Sequence, residues 1–129
     1  MNDDELILAA KNVQPNAYAP YSQFKVGAAL LGDDGSAYTG VNVENASYGI
    51  TVCAERGAIA KAVSEGCNKF VKIAVYTDCS PPATPCGVCR QMLFEFAPDL
   101  QIICANNKNE INRYSMKQLL PEAFRKRGR

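Results

Sequence analysis

The chain has 129 residues, 47% of them hydrophobic and 21% charged, and its 14 Lys+Arg against 13 Asp+Glu leave a net charge of +1. That length suits one domain, spanning 1–129, with no room for a second core; the near-neutral charge argues against a protein that grips nucleic acid, which usually shows a strongly basic face. The acidic start Met1-Asn2-Asp3-Asp4-Glu5 is unlike a secretory signal, and no apolar run approaches the ~20 residues that cross a bilayer, so the expectation is a cytoplasmic protein with no membrane partner.

Residues 3–18 read as an amphipathic helix, with Leu6, Ala10, Val13 and Ala17 on one face and Asp3, Asp4 and Glu5 near its positive end. Pro15 is expected to kink it or end it early. A turn rich in aromatics and proline, Tyr18 to Phe24, follows. Phe24, Val26, Ala28 and Leu30 alternate in a strand over 24–31, and Asp33-Asp34-Gly35 closes a hairpin to a second strand at about 36–43. A loop from Glu44 to Ile50 leads to a helix from Thr51 to Gly66, a good stop residue. Small residues crowd this helix at Ala54, Gly57, Ala58, Ala60 and Ala62. Gly57 costs about 1 kcal/mol against alanine, which implies that something packs close against its turn.

Residues 70–77 read as a buried strand. A loop with Pro81, Pro82 and Pro85 precedes a helix over about 86–96, with Val88, Met92, Leu93 and Phe96 inward. A strand at 100–105, a turn at Asn106–Asn109 and a weaker strand at 110–114 come next. Ser115 and Gln118 have the capping-box spacing for a short last helix. Arg125, Lys126, Arg127 and Arg129 read as a frayed, solvated tail. Helices alternating with strands give an α/β fold, a three-layer α/β/α sandwich around one mixed five-stranded sheet.

The chain has six cysteines, at 53, 67, 79, 86, 89 and 104, and no histidine. In a reducing compartment these are metal ligands or buried thiols rather than disulfides. Cys67 and Cys104 stand singly and read as core. The segments Cys53-Ala54-Glu55-Arg56 and Pro85-Cys86-Gly87-Val88-Cys89 each fall at a predicted helix N-terminus, where unpaired N–H groups favour thiolate. Cys53, Cys86 and Cys89 can hold one zinc ion per chain and leave its fourth position open, as a catalytic site requires. Glu55, two residues past a ligand, can lean over that position and move protons for a water whose pKa the metal lowers toward ~7. The spacing is that of the zinc base-deaminase signature, with Cys-x-Glu in place of His-x-Glu, then Pro-Cys-x-x-Cys. Arg56 could donate to the thiolates and offset their net charge. Two competing readings are a redox Cys-x-x-Cys pair, which leaves Cys53 and Glu55 idle, and a closed four-cysteine zinc completed by Cys79, which gives Glu55 no reason to be there.

Three further blocks accompany these motifs: Tyr18-Ala-Pro-Tyr-Ser-x-Phe24-x-Val-Gly-Ala-Ala, Gly40-x-Asn42-x-Glu44-Asn45-Ala46-Ser47-Tyr48, and Leu119-Leu-Pro-x-Ala-Phe124. From about Leu6 to Phe124 the chain resembles the small, homotetrameric, zinc-dependent cytidine deaminases. The resemblance implies hydrolytic deamination of free cytidine and deoxycytidine in pyrimidine salvage, with release of ammonia. It implies that Asn42 and Glu44 bind the ribose hydroxyls and that Phe24 packs on the pyrimidine. The Ala54 backbone and Glu55 would read the base edge, Arg56 would steady the thiolates, and Tyr48 and Phe124 would reach into a neighbouring subunit's site. Taken alone, Asn42 and Glu44 look like an ordinary turn and Phe24 like a core aromatic. The short basic end after Phe124 departs from relatives with longer tails.

Three rivals stay in view. An editing deaminase of RNA or single-stranded DNA would need a basic channel that a charge of +1 does not support. A deaminase of a cytosine nucleoside antibiotic such as blasticidin S is disfavoured by Glu44 and Arg56. A non-enzymatic zinc module is the third.

Overall fold

Helix starts are set by local chemistry in the computed structural model, which describes residues 1–126. Asn2 caps α1 (Asp3–Val13): its side chain accepts from the Glu5 N–H at 2.8 Å, and Glu5 accepts from the Asn2 N–H at 3.0 Å. This capping box satisfies two otherwise orphaned donors. The helix is shorter than the expected 3–18 because Pro15 cannot continue it, and Gln14–Asn16 form one 3₁₀ turn instead.

Strand β1 (Gly27–Gly32) starts three residues later than the alternation from Phe24 suggests, and all six of its residues are buried. It is covered on both faces, so the alternating pattern captured only one of them. A hairpin with Gly35 at φ +83° joins it to β2 (Ala37–Val41). Helix α2 (Ala54–Ser64) starts after Cys53 rather than at Thr51, because Val52 is still extended and exchanges backbone hydrogen bonds with Val43, each 2.9 Å long. At its end Gly66 takes φ +91°, and the Cys67 N–H reaches the Ala62 carbonyl at 2.9 Å, closing the helix as a Schellman motif. Then come β3 (Phe70–Thr77), α3 (Gly87–Phe96), β4 (Gln101–Asn106), β5 (Ile111–Ser115) and α4 (Met116–Leu119), the last with the expected Ser115–Gln118 capping box.

The strands form one mixed sheet in the order β2-β1-β3-β4-β5, parallel only between β3 and β4. Side chains alternate across it. Leu6 and Ala10 of α1 pack against Ala29, Ala74 and Ile103 on one face. Ile59 of α2 and Leu93 of α3 pack against Leu30, Ile73 and Ile102 on the other. The result is the expected α/β/α sandwich. No helix among the described residues is long and apolar enough to cross a membrane.

Two details depart from expectation and one sharpens it. Val88 is 63% exposed, because the inward stripe of α3 runs through Cys89, Met92, Leu93 and Phe96 at helical spacing. The expected close approach to the Gly57 turn of α2 is present, made by Gly40 of β2, and it is Gly40 whose missing side chain permits it. A Cβ on Gly57 would stay in ordinary contact at 3.6 Å, whereas one on Gly40 of β2 would fall 2.4 Å from the Ala54 carbonyl oxygen and 2.5 Å from the Ala58 nitrogen. The basic run does not begin as a frayed tail, since the Arg125 guanidinium sits 4.5 Å from the centre of the Phe94 ring. Lys126 is exposed, and Arg127 and Arg129 lie outside the described residues. Cys67 and Cys104 are buried as expected.

Candidate active site

The loops entering α2 and α3 bring two helix N-termini together. Cys53 is the N-cap of α2 and Cys86 the N-cap of α3, and neither side chain makes a capping bond. Cys89 follows in the first turn of α3. The Cys53 and Cys86 sulfurs are 4.0 Å apart, those of Cys86 and Cys89 3.4 Å, and all three lie within 4.8 Å of one another. Cys79 stays out of the group, with its sulfur 3.3 Å from the Thr77 hydroxyl and 3.4 Å from the Pro81 carbonyl oxygen. A closed four-cysteine site is therefore not formed.

The three sulfurs fit a zinc ion. They are soft donors from rigid helix ends and leave a fourth position free. Arg56 bears on the same spot: its Nη2 donates to the Thr51 carbonyl at 2.8 Å and approaches the Cys53 sulfur at 3.7 Å, while its buried Nε has no partner. The Cys89 thiol, with help from Arg56 and Cys86, holds the Cys53 thiol well below its usual range against the effect of burial. That same bond, reinforced by burial, pushes Cys89 up. A positive ion among the sulfurs would favour the thiolate at all three.

Glu55 sits in the first turn of α2 and is 5% exposed. Burial pushes its carboxyl up to about 7, with a smaller push from Cys53, while its own backbone N–H and Arg56 pull the other way. A carboxyl titrating near neutrality both accepts and donates protons under ordinary conditions. The Cys104 thiol, by contrast, is pushed up to about 12 by burial and is an inert core group.

Glu55 opens into a cleft of about 300 Å³ that Phe24, Asn42, Glu44, Ala54 and Thr77 also line. Asn42 is buried, and its amide pairs with the approach to β1: Oδ1 accepts from the Val26 N–H at 2.9 Å and Nδ2 donates to the Phe24 carbonyl at 2.8 Å. The Tyr18–Phe24 turn folds around Glu44. Its Oε1 accepts from the Tyr21 and Ser22 N–H groups at 3.0 and 3.1 Å, and the Ser22 hydroxyl donates to Oε2. These bonds, that of the Ser22 hydroxyl foremost, hold the Glu44 carboxyl below its usual range.

Two expected site residues are not in this cleft. Tyr48 is 73% exposed and meets Tyr21 edge-on at 5.9 Å over an adjoining hollow. Phe124 is 74% exposed and lines neither. Sequence reasoning gave no part to Ser22 beyond its place in the Tyr18–Phe24 block, nor any to Thr51, which also lines the cleft. The Tyr18–Phe24 turn carries a single serine, and only the distant Glu44 gives it meaning.

Residues 1–105 match the family model of the cytidine and deoxycytidylate deaminase zinc-binding region. The chain is 45% identical to the cytidine deaminase of Sporosarcina psychrophila over 98% of its own length and 93% of the relative's. It is 48% identical to that of Halalkalibacterium halodurans, over 96% and 95%. Among solved structures, the cytidine deaminase of Burkholderia pseudomallei superposes with a TM-score of 0.93 at 46% identity, covering 96% of this chain and all of that one. The enzyme of Mycobacterium tuberculosis gives 0.85 at 37%, covering 98% and 99%.

Proposed function

Since the chain belongs to the family of cytidine and deoxycytidylate deaminases, we propose that it deaminates free cytidine and deoxycytidine by hydrolysis, with the roles of individual residues as follows. The observation that carries the reading is Glu55, a buried carboxyl poised near neutral pH beside three clustered thiols. Cys53, Cys86 and Cys89 hold the zinc, which when bound polarises water at neutral pH. Glu55 takes one proton from the attacking water and passes it to N3 of the cytosine; it then takes the remaining proton from the new C4 hydroxyl and delivers it to the amino group, which leaves as ammonia while the C4 carbonyl forms. A group with its pKa near the working pH performs both directions of transfer well. Arg56 offsets the charge of the thiolates from beside Cys53.

The ribose lies toward Asn42 and Glu44, and Phe24 packs on the pyrimidine. Asn42 keeps one amide hydrogen beyond its two backbone bonds, and Glu44 keeps acceptor capacity on Oε2. The Ala54 backbone lies at the base edge with Glu55. Buried polar groups that pair with the sugar reject a free base, which would leave them unpaired.

Tyr48 and Phe124 are too exposed to serve their own chain's cleft. Large aromatics so placed suit burial by another copy, in a homotetramer whose subunits reach into each other's sites. Six free cysteines suit a reducing cytoplasm. The chain serves as one domain over 1–129, because both apolar layers share a single sheet.

Cytidine mixed with the zinc-loaded protein should lose its ultraviolet absorbance with one ammonia released per uridine formed. Absence of uridine at full zinc occupancy would overturn the reading.

A further inference from the structure

Phe124 presents a contradiction. The residue is 74% exposed, as an aromatic with little packing from its own chain. Yet its backbone is held. Gln91 Nε2 donates to the Phe124 carbonyl at 3.0 Å, and Gln91 Oε1 accepts from the Phe124 N–H at 3.1 Å. One side-chain amide thus engages both polar groups of one residue, fixing the position and plane of the backbone and leaving only the ring free.

The neighbours of Gln91 on α3 do the same for the rest of the tail. Arg90 donates to the Leu119 carbonyl at 2.8 Å, to the Pro85 carbonyl at 2.7 Å and to the Thr84 hydroxyl at 2.9 Å. Phe94 lies under Arg125. The tail is fastened to α3 at 119, 124 and 125, and the ring of Phe124 projects from the fastened stretch. The device also occurs at the cleft, where the Asn42 amide brackets the backbone from Phe24 to Val26.

We propose that Gln91 is a positioning residue for the reaction: it orients Phe124 so that the ring closes a neighbouring subunit's site. The inference rests on the reading of Phe124 as acting in a neighbouring site. It assigns a new task to α3, the helix that carries Cys86 and Cys89. The helix that builds one subunit's metal site also aims the aromatic lid supplied to the next. Without the amide pair, the tail must be ordered each time substrate binds. Loss of two such hydrogen bonds corresponds to roughly a tenfold rise in KM, with kcat within about threefold of wild type.

The test uses zinc-loaded Gln91→Ala, Phe124→Ala and the double variant. Gln91→Met, similar in length without the amide, repeats it should alanine leave a damaging gap. The expected result is the KM rise with full zinc content, and a double variant no worse than Phe124→Ala alone, because the two residues act as one unit. Effects that multiply would overturn the proposal.

Subunit mixing separates it from the reading beneath it. Glu55→Gln subunits are dissociated and reassembled with either Phe124→Ala or Gln91→Ala subunits, and assayed at cytidine well below KM. Activity above the sum of the parents in both mixtures is expected, since an intact Glu55 then meets a correctly held Phe124. Recovery with Phe124→Ala but not with Gln91→Ala overturns the role of Gln91 and leaves that of Phe124. Recovery with neither, after demonstrated exchange, overturns both.

Discussion

Burial raises the Glu55 carboxyl from its ordinary 4.5 to about 7, so above neutrality the folded chain carries a charge that its surroundings oppose. The sign follows from linkage. A group whose folded pKa is raised contributes stability that is fully present below its unfolded value and lost as pH rises through its folded value. The gap between 4.5 and 7 corresponds to roughly 3 kcal/mol at about 1.4 kcal/mol per pH unit. Glu55→Gln has no proton to lose, so it should escape this penalty while giving up proton transfer. Urea unfolding of the zinc-free protein, wild type against Glu55→Gln, should show the variant gaining up to about 3 kcal/mol on wild type between pH 5 and 8. The zinc-loaded variant should at the same time lose about 10²–10⁴-fold in kcat. A variant no more stable than wild type at pH 8, or a difference that does not grow with pH, would refute the account of Glu55 as a carboxyl lifted by burial.

Other outcomes follow from the same geometry. Elemental analysis of dialysed protein should find one zinc per chain, and its removal by a chelator should abolish activity that added zinc restores. Arg56→Ala should keep the metal but move the rate–pH curve to higher pH, because the sulfurs then lack their nearest cation; an unchanged curve and rate would make Arg56 a bystander. Asp3 accepts from Lys72 at 2.7 Å and Arg113 at 3.1 Å, and the Lys72 bond foremost holds its carboxyl below 3.8. Its contribution is present above that value and fades as pH falls through the lowered one. Asp3→Asn should therefore cost about 0.5–1 kcal/mol at pH 7 and progressively less in acid, read from unfolding midpoints.

What sequence reveals here depends on how far apart the interacting residues are. Cys53, Glu55 and Arg56 share one turn, and Cys86 and Cys89 another, so the chemistry was legible from two short segments. The Ser115 capping box and the 70–77 strand were equally local. The alternation overruns the start of β1 because Phe24 and Val26 continue it but are fixed by Asn42, sixteen or more residues away, instead of by a sheet neighbour. Val88 turns outward because Cys89, which the sequence marks only as a metal ligand, takes the buried place on that turn. Gly57 signalled close packing, but only the register of β2 against α2 shows that the methyl is forbidden at Gly40. The Gln91 amide spans 33 residues to reach Phe124, and no periodicity encodes such a pair.

Gly40 has a consequence for any attempt to reshape this cleft. Where it meets Ala54 and Ala58, peptide groups touch without a side chain between them. There is no rotamer to flip and no methylene to trim, so the spacing between the strand and the helix bearing Glu55 is set by the thickness of the main chain. Substitutions at Ile59 or Leu93 can be absorbed by neighbouring side chains while the carboxyl stays where it is. A single added carbon at position 40 has nowhere to go and would lift the helix with its acid. Room for a bulkier substrate must come from elsewhere in the lining, such as Ser22 and Phe24, whose side chains can be exchanged.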